Sequence, residues 1–217
     1  MSRSIPRALA IVGAAGPIAY IALVIALGLL WPGYDPIHQT QSELGAADAP
    51  NAPVMNVVGF MGLGVVILAF AGAYLAIVRG APWRQLAVAA LVVAGLGMVV
   101  VGFFPCDPGC VDVTATGELH GTFSMPGAVG LPVAAMLSAA ALRDDGRFGT
   151  AWQATSLIVG ALALASGPII AAGILPSYEG LFQRAAMWTP ILWMAAVSWR
   201  LLGLAVQGRP GPAVPQA

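Results

Sequence analysis

The chain has 217 residues, 59% of them hydrophobic and only 8% charged. Soluble domains carry about 25% charged residues, so a water-soluble globular domain is excluded as the class. Nine basic residues, all arginine, balance nine acids, which gives no electrostatic reason to expect nucleic acid or a polyanionic partner.

Six apolar stretches, 8–31, 54–78, 86–104, 121–142, 152–175 and 181–206, reach the ~20 residues that a bilayer crossing takes. Arg3, Arg7, Arg79, Arg84, Arg143, Arg147, Arg200 and Arg209 fall at one set of ends, and Arg184 alone at the other. The positive-inside rule then puts both termini in the cytoplasm and turns Asp35, Glu43, Asp48, Asp107, Asp112, Glu118 and Glu179 outward. The expectation is an all-α, six-helix transmembrane bundle over residues 1–207 in the cell (plasma) membrane. Membrane lipids are its expected partners, and the Gly/Pro-rich segment 208–217 reads as a disordered cytoplasmic tail. The first apolar run is too long for a signal peptide and ends in Trp31-Pro32 rather than a small-residue cleavage site, so it reads as a retained helix.

Pro17 predicts a kink in the first span. Between the first two spans lies the polar run Asp35–Gly45, which reads as a short helix. Asp35 suits the N-cap, Pro36 the first helical position, and Gly45 the left-handed residue past the end. On that helix His38 and Ser42 share a face, with Glu43 beside them. Asn51 precedes the second span, and Asn56 in its first turn is expected to face the bundle. Gly59, Gly62 and Gly64, then Gly95, Gly97 and Gly102, mark close-packing faces of the second and third spans. Their spacing inside a span, with no preceding strand, does not fit a dinucleotide loop.

The third span exits into Phe104-Pro-Cys-Asp-Pro-Gly-Cys110, and the fourth opens at Glu118-Leu-His120-Gly121. Ser124, Pro126 and Pro132 predict an irregular outer half for that fourth span. The turn Arg143-Asp-Asp-Gly-Arg147 reads as ordinary solvated charge, and Ser166-Gly-Pro168 as a kink in the fifth span. The exits Trp31-Pro-Gly-Tyr-Asp35, Phe104-Pro-Cys-Asp107 and Leu175-Pro-Ser-Tyr-Glu179 share a pattern of proline followed by an acid. That pattern fits three related hairpins, or simply the habit of proline to follow a helix end.

Groups able to titrate or attack collect on the outward side. His38, Ser42 and Glu43 supply base, nucleophile and acid types, although no nucleophile elbow accompanies them. Asp107 and His120 sit at neighbouring helix ends. With His38 they make the candidate cluster, to which Arg184, Asn51, Asn56 and Glu118 are added as ligand-binding candidates. No metal or cofactor is expected, since no HExxH-like pair exists and two histidines are few for zinc. If a divalent ion does bind, His38, Asp107 and His120 are the set. A hydrogen-bonded cluster tying the loops together is the alternative. Cys106 and Cys110 read as a small disulfide pinning their loop, ahead of free thiols or metal ligands. Arg184 either snorkels to the interface or meets a lipid phosphate, a substrate anion or an acid of the cluster.

The pattern His38-x3-Ser42-Glu-Leu-Gly-Ala46, then Pro50-Asn51, Gly102-Phe-Phe-Pro-x-Asp107 and Leu119-His120 resembles the prokaryotic membrane proteins of the domain-of-unknown-function-998 family. The cysteines flanking Asp107 look like a local addition to that pattern. The resemblance implies a six-helix membrane protein without an assigned activity. A remote similarity to membrane proteins of the autophagy-modulator and GPI-lipid-remodelling type implies lipid handling. The function expected is that of a membrane protein with an outward His/Asp/Ser/Glu cluster in a structural or accessory role. A lipid- or envelope-modifying hydrolase or transferase and a small-ligand transporter are the alternatives. The lack of ionisable groups at mid-span argues against an ion-coupled carrier.

Overall fold

The computed structural model describes residues 4–171 and 174–207, with side chains over 4–167 and 174–205. Arg3, Arg209 and the tail 208–217 lie outside the described residues. Six long helices carry the fold: α1 (Ser4–Leu29), α2 (Ala52–Ile77), α3 (Trp83–Val101), α4 (Ala115–Asp144), α5 (Thr150–Ala171) and α6 (Glu179–Gln207). No strand occurs among the described residues. Each helix packs against its neighbours in sequence, and α6 closes the ring on α1 while also touching α2 and α4.

Among the described residues, α1, α2, α3 and α4 are long and apolar enough to cross a membrane. Their outward faces agree: Ile18, Leu29, Val58, Val65, Val93 and Leu96 all stay exposed. Apolar surface of this extent on a bundle belongs against lipid or another protein. The interior is built from Phe70 and Tyr74 of α2, Leu91 of α3, Leu131 and Leu142 of α4, and Ile191, Met194 and Leu201 of α6. Ser138 Oγ in the interior donates to Ala134 O, one turn back, at 2.7 Å.

Small residues set the helix spacing as the glycine pattern predicts. A Cβ at Gly95 would lie 3.0 Å from Gly64 O and 2.8 Å from Leu68 Cγ, and one at Gly97 would lie 2.6 Å from Pro126 Cβ. Only hydrogen atoms fit there, so α2, α3 and α4 approach backbone to backbone. The expected irregularity of the fourth span is not found, because α4 runs unbroken through Pro126 and Pro132. Both prolines pack against glycines of neighbouring helices: Gly97 leaves room for the Pro126 ring, and Gly160 lets the next helix approach the Pro132 carbonyl. The irregular turn is instead a π-helical stretch, Met55–Met61, at the start of α2.

The arginine-rich end is more ordered than solvated charge implies. Gly80, at φ +98°, tucks the α2–α3 turn against α4, where a Cβ would meet Ala141 O at 3.0 Å. Asp145, 1% exposed, accepts from Arg79 N at 2.8 Å, Arg147 Nη2 at 2.6 Å and Arg147 Nε at 2.8 Å. Arg147 Nη2 also donates to Ile77 O at 2.5 Å, and Arg200 Nη2 donates to Arg147 O at 2.9 Å. Burial raises the Asp145 pKa, but the bonds from Arg147 and Arg79 outweigh it and hold the carboxyl below the usual range. The reading of Arg143–Arg147 as solvated charge survives for Arg143 and Asp144, a loose exposed pair at 3.5 Å. For Asp145 it does not, because the turn folds that carboxylate inward onto unpaired backbone N–H and guanidinium donors.

Candidate functional site

At the opposite end the chain leaves α1 through Trp31-Pro32-Gly33, where Gly33 takes φ +85°. That left-handed residue turns Tyr34 back over Trp31, ring centroids 5.4 Å apart. Asp35 then closes one turn: its Oδ1 accepts from Ile37 N at 2.8 Å, and its carbonyl from Gln39 N at 2.8 Å. The turn stops there. The segment Asp35–Gly45 is two separate turns, not one helix, and the second is the 3-10 turn Ser42–Gly45.

The break has a local cause. Glu43 Oε1 accepts from Thr40 N at 2.7 Å and from Thr40 Oγ1 at 3.1 Å, while Glu43 N reaches Thr40 Oγ1 at 3.4 Å. Thr40-Gln-Ser-Glu43 is a capping box, and it starts a new turn where the first ends.

The face shared by His38 and Ser42 is therefore not formed. His38 is exposed, its Nδ1 2.8 Å from Asp35 Oδ2, with its ring stacked on Tyr178. Ser42 Oγ accepts from Gln183 Nε2 at 3.2 Å. Glu43 is occupied by Thr40 and by Gln39 Nε2 at 3.0 Å. Base, nucleophile and acid each have a different partner.

The element that organises this loop is the start of α6. Arg184 is 7% exposed, and its Nη1 donates to Pro36 O at 2.6 Å, Gln39 O at 2.8 Å and Gly180 O at 2.9 Å. Its Nη2 donates to the Tyr34 hydroxyl, which donates onward to Thr40 O at 2.7 Å. Burial raises the Tyr34 pKa above its ordinary 10.0 against the pull of Arg184, so the phenol keeps the proton it donates. Gln183 Oε1 accepts from Gln41 N at 2.8 Å, Trp188 Nε1 donates to Gln41 Oε1 at 2.9 Å, and Leu181 N donates to Ile37 O at 3.0 Å. Among the described residues no carboxylate lies within salt-bridge distance of Arg184. Arg184 thus neither snorkels nor pairs with an acid; it gathers backbone carbonyls.

Between α1 and α6, beneath this loop, lies a cavity of about 270 Å³ lined by Val24, Ile25, Gly28, Leu29, Tyr34, Pro36, Arg184 and Trp188. Its walls are apolar except at the Arg184 end. Ile25 and Leu29 are 49% and 82% exposed, so the cavity reaches the outer surface of the bundle. Gln183 and Trp188 are not among the site residues expected from sequence, although Gln183 stands beside Arg184 at the opening of the sixth span. Their signal is a spacing, Gln183, Arg184 and Trp188 within the first three turns of α6.

Asp107 works on the second loop. Its Oδ2 accepts from Val113 N at 2.9 Å and Thr114 N at 2.7 Å, and its Oδ1 from Thr114 Oγ1 at 2.8 Å. Thr114 in turn caps α4 by accepting from Gly117 N at 3.3 Å. The bonds from Thr114, then from Val113, hold the Asp107 carboxyl below its usual 3.8. A depressed folded-state pKa stabilises the fold above 3.8, and that stability is lost as pH falls through the lower folded value. Acidification from pH 5 to 3 is therefore expected to lower the thermal unfolding midpoint, and Asp107→Asn to lose part of that acid sensitivity while starting from a lower midpoint at pH 7. Equal acid slopes in the two proteins would contradict the assignment.

His120 is buried, with Nδ1 2.7 Å from Phe104 O and its ring edge-on to Phe60. Asn56 is buried too and donates from Nδ2 to Gly45 O at 2.9 Å, tying the first loop to α2. Asn51 is half-buried at the start of α2 and makes no side-chain cap bond, while Glu118 is exposed. Cys106 and Cys110 are disulfide-bonded, and Ala47 N donates to Cys106 O at 2.9 Å, joining the two loops. Among the described residues, His38, Asp107 and His120 do not bring their ligand atoms within 4.8 Å of one another. The proposed shared set is not assembled, because Asp35 and Tyr178 hold His38 while Asp107 is spent on the α4 cap.

A family model described as Protein of unknown function (DUF998) matches residues 14–200. The chain belongs to that family. The match takes in His38, Ser42–Ala46, Asp107, His120 and Arg184 alike. No curated protein and no solved structure matches the chain.

Proposed function

We propose that this DUF998 protein crosses the plasma membrane six times with both ends cytoplasmic, and holds an anionic amphiphile between α1 and α6 with its head group on Arg184. The clustering of Arg79, Arg84, Arg147 and Arg200 at one end of the bundle, in contact with the turns there, supports the orientation. The observation that carries the ligand reading is Arg184 itself. It is a nearly buried cation, its hydrogen bonds go to neutral oxygens, and it sits at the mouth of an apolar cavity. Neutral oxygens solvate a guanidinium without cancelling its charge, so an incoming phosphate or carboxylate gains the full attraction. Of the acids in this segment, Glu43 is engaged by Thr40 and Gln39, and Asp35 by Ile37 N and His38. At about 270 Å³ the cavity falls just under the ~300–1,000 Å³ of drug-sized sites, so it takes part of one acyl chain rather than a whole lipid. The remaining polar groups of the two loops support a structural role, since Ser42, Glu43, Gln183 and Asp107 are spent on hydrogen bonds within the protein.

Mass spectrometry of protein purified in mild detergent and exchanged into phosphatidylglycerol or phosphatidylcholine tests this. Wild type is expected to retain phosphatidylglycerol in preference. Arg184→Gln is expected to reduce retention by about 10-fold or more, the worth of one charge-assisted hydrogen bond. Ile25→Trp fills the cavity, leaves Arg184 in place, and is expected to do the same without loss of the folded bundle. Equal retention of the two lipids, or unchanged retention in Ile25→Trp, would overturn the reading.

A further inference from the structure

We infer that Cys106, Cys110 and His120, when the disulfide is reduced, form a binding site for one thiophilic d10 metal ion, Zn²⁺ or Cu⁺. Ligand atoms of all three residues lie within 4.8 Å of one another. Donors about 2.1–2.3 Å from one ion stand roughly 3.6–3.8 Å apart at the tetrahedral angle, so after reduction the two sulfurs, bonded to each other in the disulfide, have to spread while the imidazole stays within reach. The set is drawn from two elements that the fold already fixes, the 106–110 loop and the first turns of α4.

The state of His120 points to a ligand rather than to packing. It is 5% exposed, and its Nδ1 faces the Phe104 carbonyl at 2.7 Å. A carbonyl only accepts, so Nδ1 carries the proton and the neutral ring presents a bare lone pair at Nε2. That Nε2 is buried and has no hydrogen-bond partner. A buried acceptor left empty is destabilising, and a backbone carbonyl on Nδ1 with a free Nε2 is how proteins orient a metal-bound imidazole. The cysteine pair supplies the other half. The C-x3-C spacing falls within the range of chelating pairs, and the sulfurs have only a short loop between them. Gly109 at φ +69° and Cys110 at φ +50° place that loop in a tight left-handed turn, which returns Cys110 toward Cys106. Cys106 is held from behind by Ala47 N on its carbonyl, and the half-buried Cys110 by its own N–H on Asp107 O at 2.7 Å. Thiolates with one imidazole favour Zn²⁺ or Cu⁺ over the hard cations.

Loading proceeds in two balanced steps. A dithiol reductant transfers two electrons and two protons to the Cys106–Cys110 disulfide, giving two thiols, and itself becomes a disulfide. The ion then displaces the two thiol protons to solvent and binds two thiolates and Nε2. A disulfide has no thiolate to offer, so the oxidised protein is closed to metal.

The full-length protein in detergent, treated with a phosphine reductant and desalted, provides the test. Titration with Zn²⁺ against a chelator, and with Cu⁺ against a copper(I) chelator, is expected to load one ion per chain. Co²⁺ in place of Zn²⁺ is expected to give thiolate-to-metal charge-transfer absorption. Untreated oxidised protein is expected to load none. Cys110→Ser, a change on the half-buried loop, is expected to abolish stoichiometric loading and the charge-transfer band, and His120→Ala to weaken binding by at least 10-fold. Two results overturn the inference: reduced wild type loading no more metal than reduced Cys110→Ser, or folded His120→Ala binding as tightly as wild type.

Discussion

Asp145→Asn is expected to destabilise the protein by about 3 kcal/mol, the lower part of the range for breaking a buried ion pair. The lower part applies because the Arg147 side chain is 27% exposed and regains water when its partner is lost. In a chain of this length that is a fall of roughly 6–12 °C in unfolding midpoint. The neighbouring Asp144→Asn provides the internal control. Its pair with Arg143 is 3.5 Å long and exposed, and such pairs contribute about 0–1 kcal/mol. Thermal unfolding of both variants at pH 7, followed by helical circular dichroism, reads the difference. Similar shifts in the two would show that the inward-turned carboxylate carries no special weight. The Asp145 pKa is lowered, so its contribution is present above 3.8 and fades as pH falls through the lower folded value. The gap between wild type and Asp145→Asn is thus expected to narrow in acid.

Gly180→Val is expected to detach the first loop from α6. A Cβ at Gly180 would lie 2.6 Å from Pro36 O and 2.7 Å from the Gln39 carbonyl carbon. Those are backbone atoms, so no side-chain rotation relieves the clash. Lifting the loop breaks the Arg184 bonds to Pro36 and Gln39 and the Leu181–Ile37 amide bond. Overpacking of this kind costs about 1–3 kcal/mol. Amide hydrogen exchange is the measurement. Protection is expected to fall across residues 37–44 and to stay unchanged at 113–118, where Asp107 and Thr114 hold the α4 cap. Exchange that rises equally in both loops, or in neither, would refute separate docking. Because Tyr34 and Pro36 line the cavity, the same variant is expected to retain less phosphatidylglycerol.

Which residues meet across the loops follows from short-range chemistry in some places and long-range chemistry in others. The Asp107 contacts run over 6–7 residues, and loop 106–114 folds largely on itself. The Glu43–Thr40 capping box is equally local and readable from Thr40-x-x-Glu43, yet the N-cap at Asp35 and the glycine at Gly45 invite one helix across it. Both signals are real. The nearer box wins because it satisfies Thr40 N, which a continuous helix would have sent to Pro36 O; Arg184 takes that carbonyl instead. The Arg184 bonds to the first loop span 145–150 residues, beyond any local pattern.

The all-helical class, the apolar helices, the arginine-rich end and the glycine faces that set helix spacing are legible in the residues alone. These depend on composition and periodicity, properties that each segment carries without its neighbours. The partners depend on how the chain folds back: Asp145 inward, His38 on the surface with Asp35 and Tyr178, Arg184 beneath the first loop, and His120 beside the cysteines with Nε2 bare. A buried polar group must find its complement wherever the chain folds back, and for Arg184 that complement lies nearly 150 residues away.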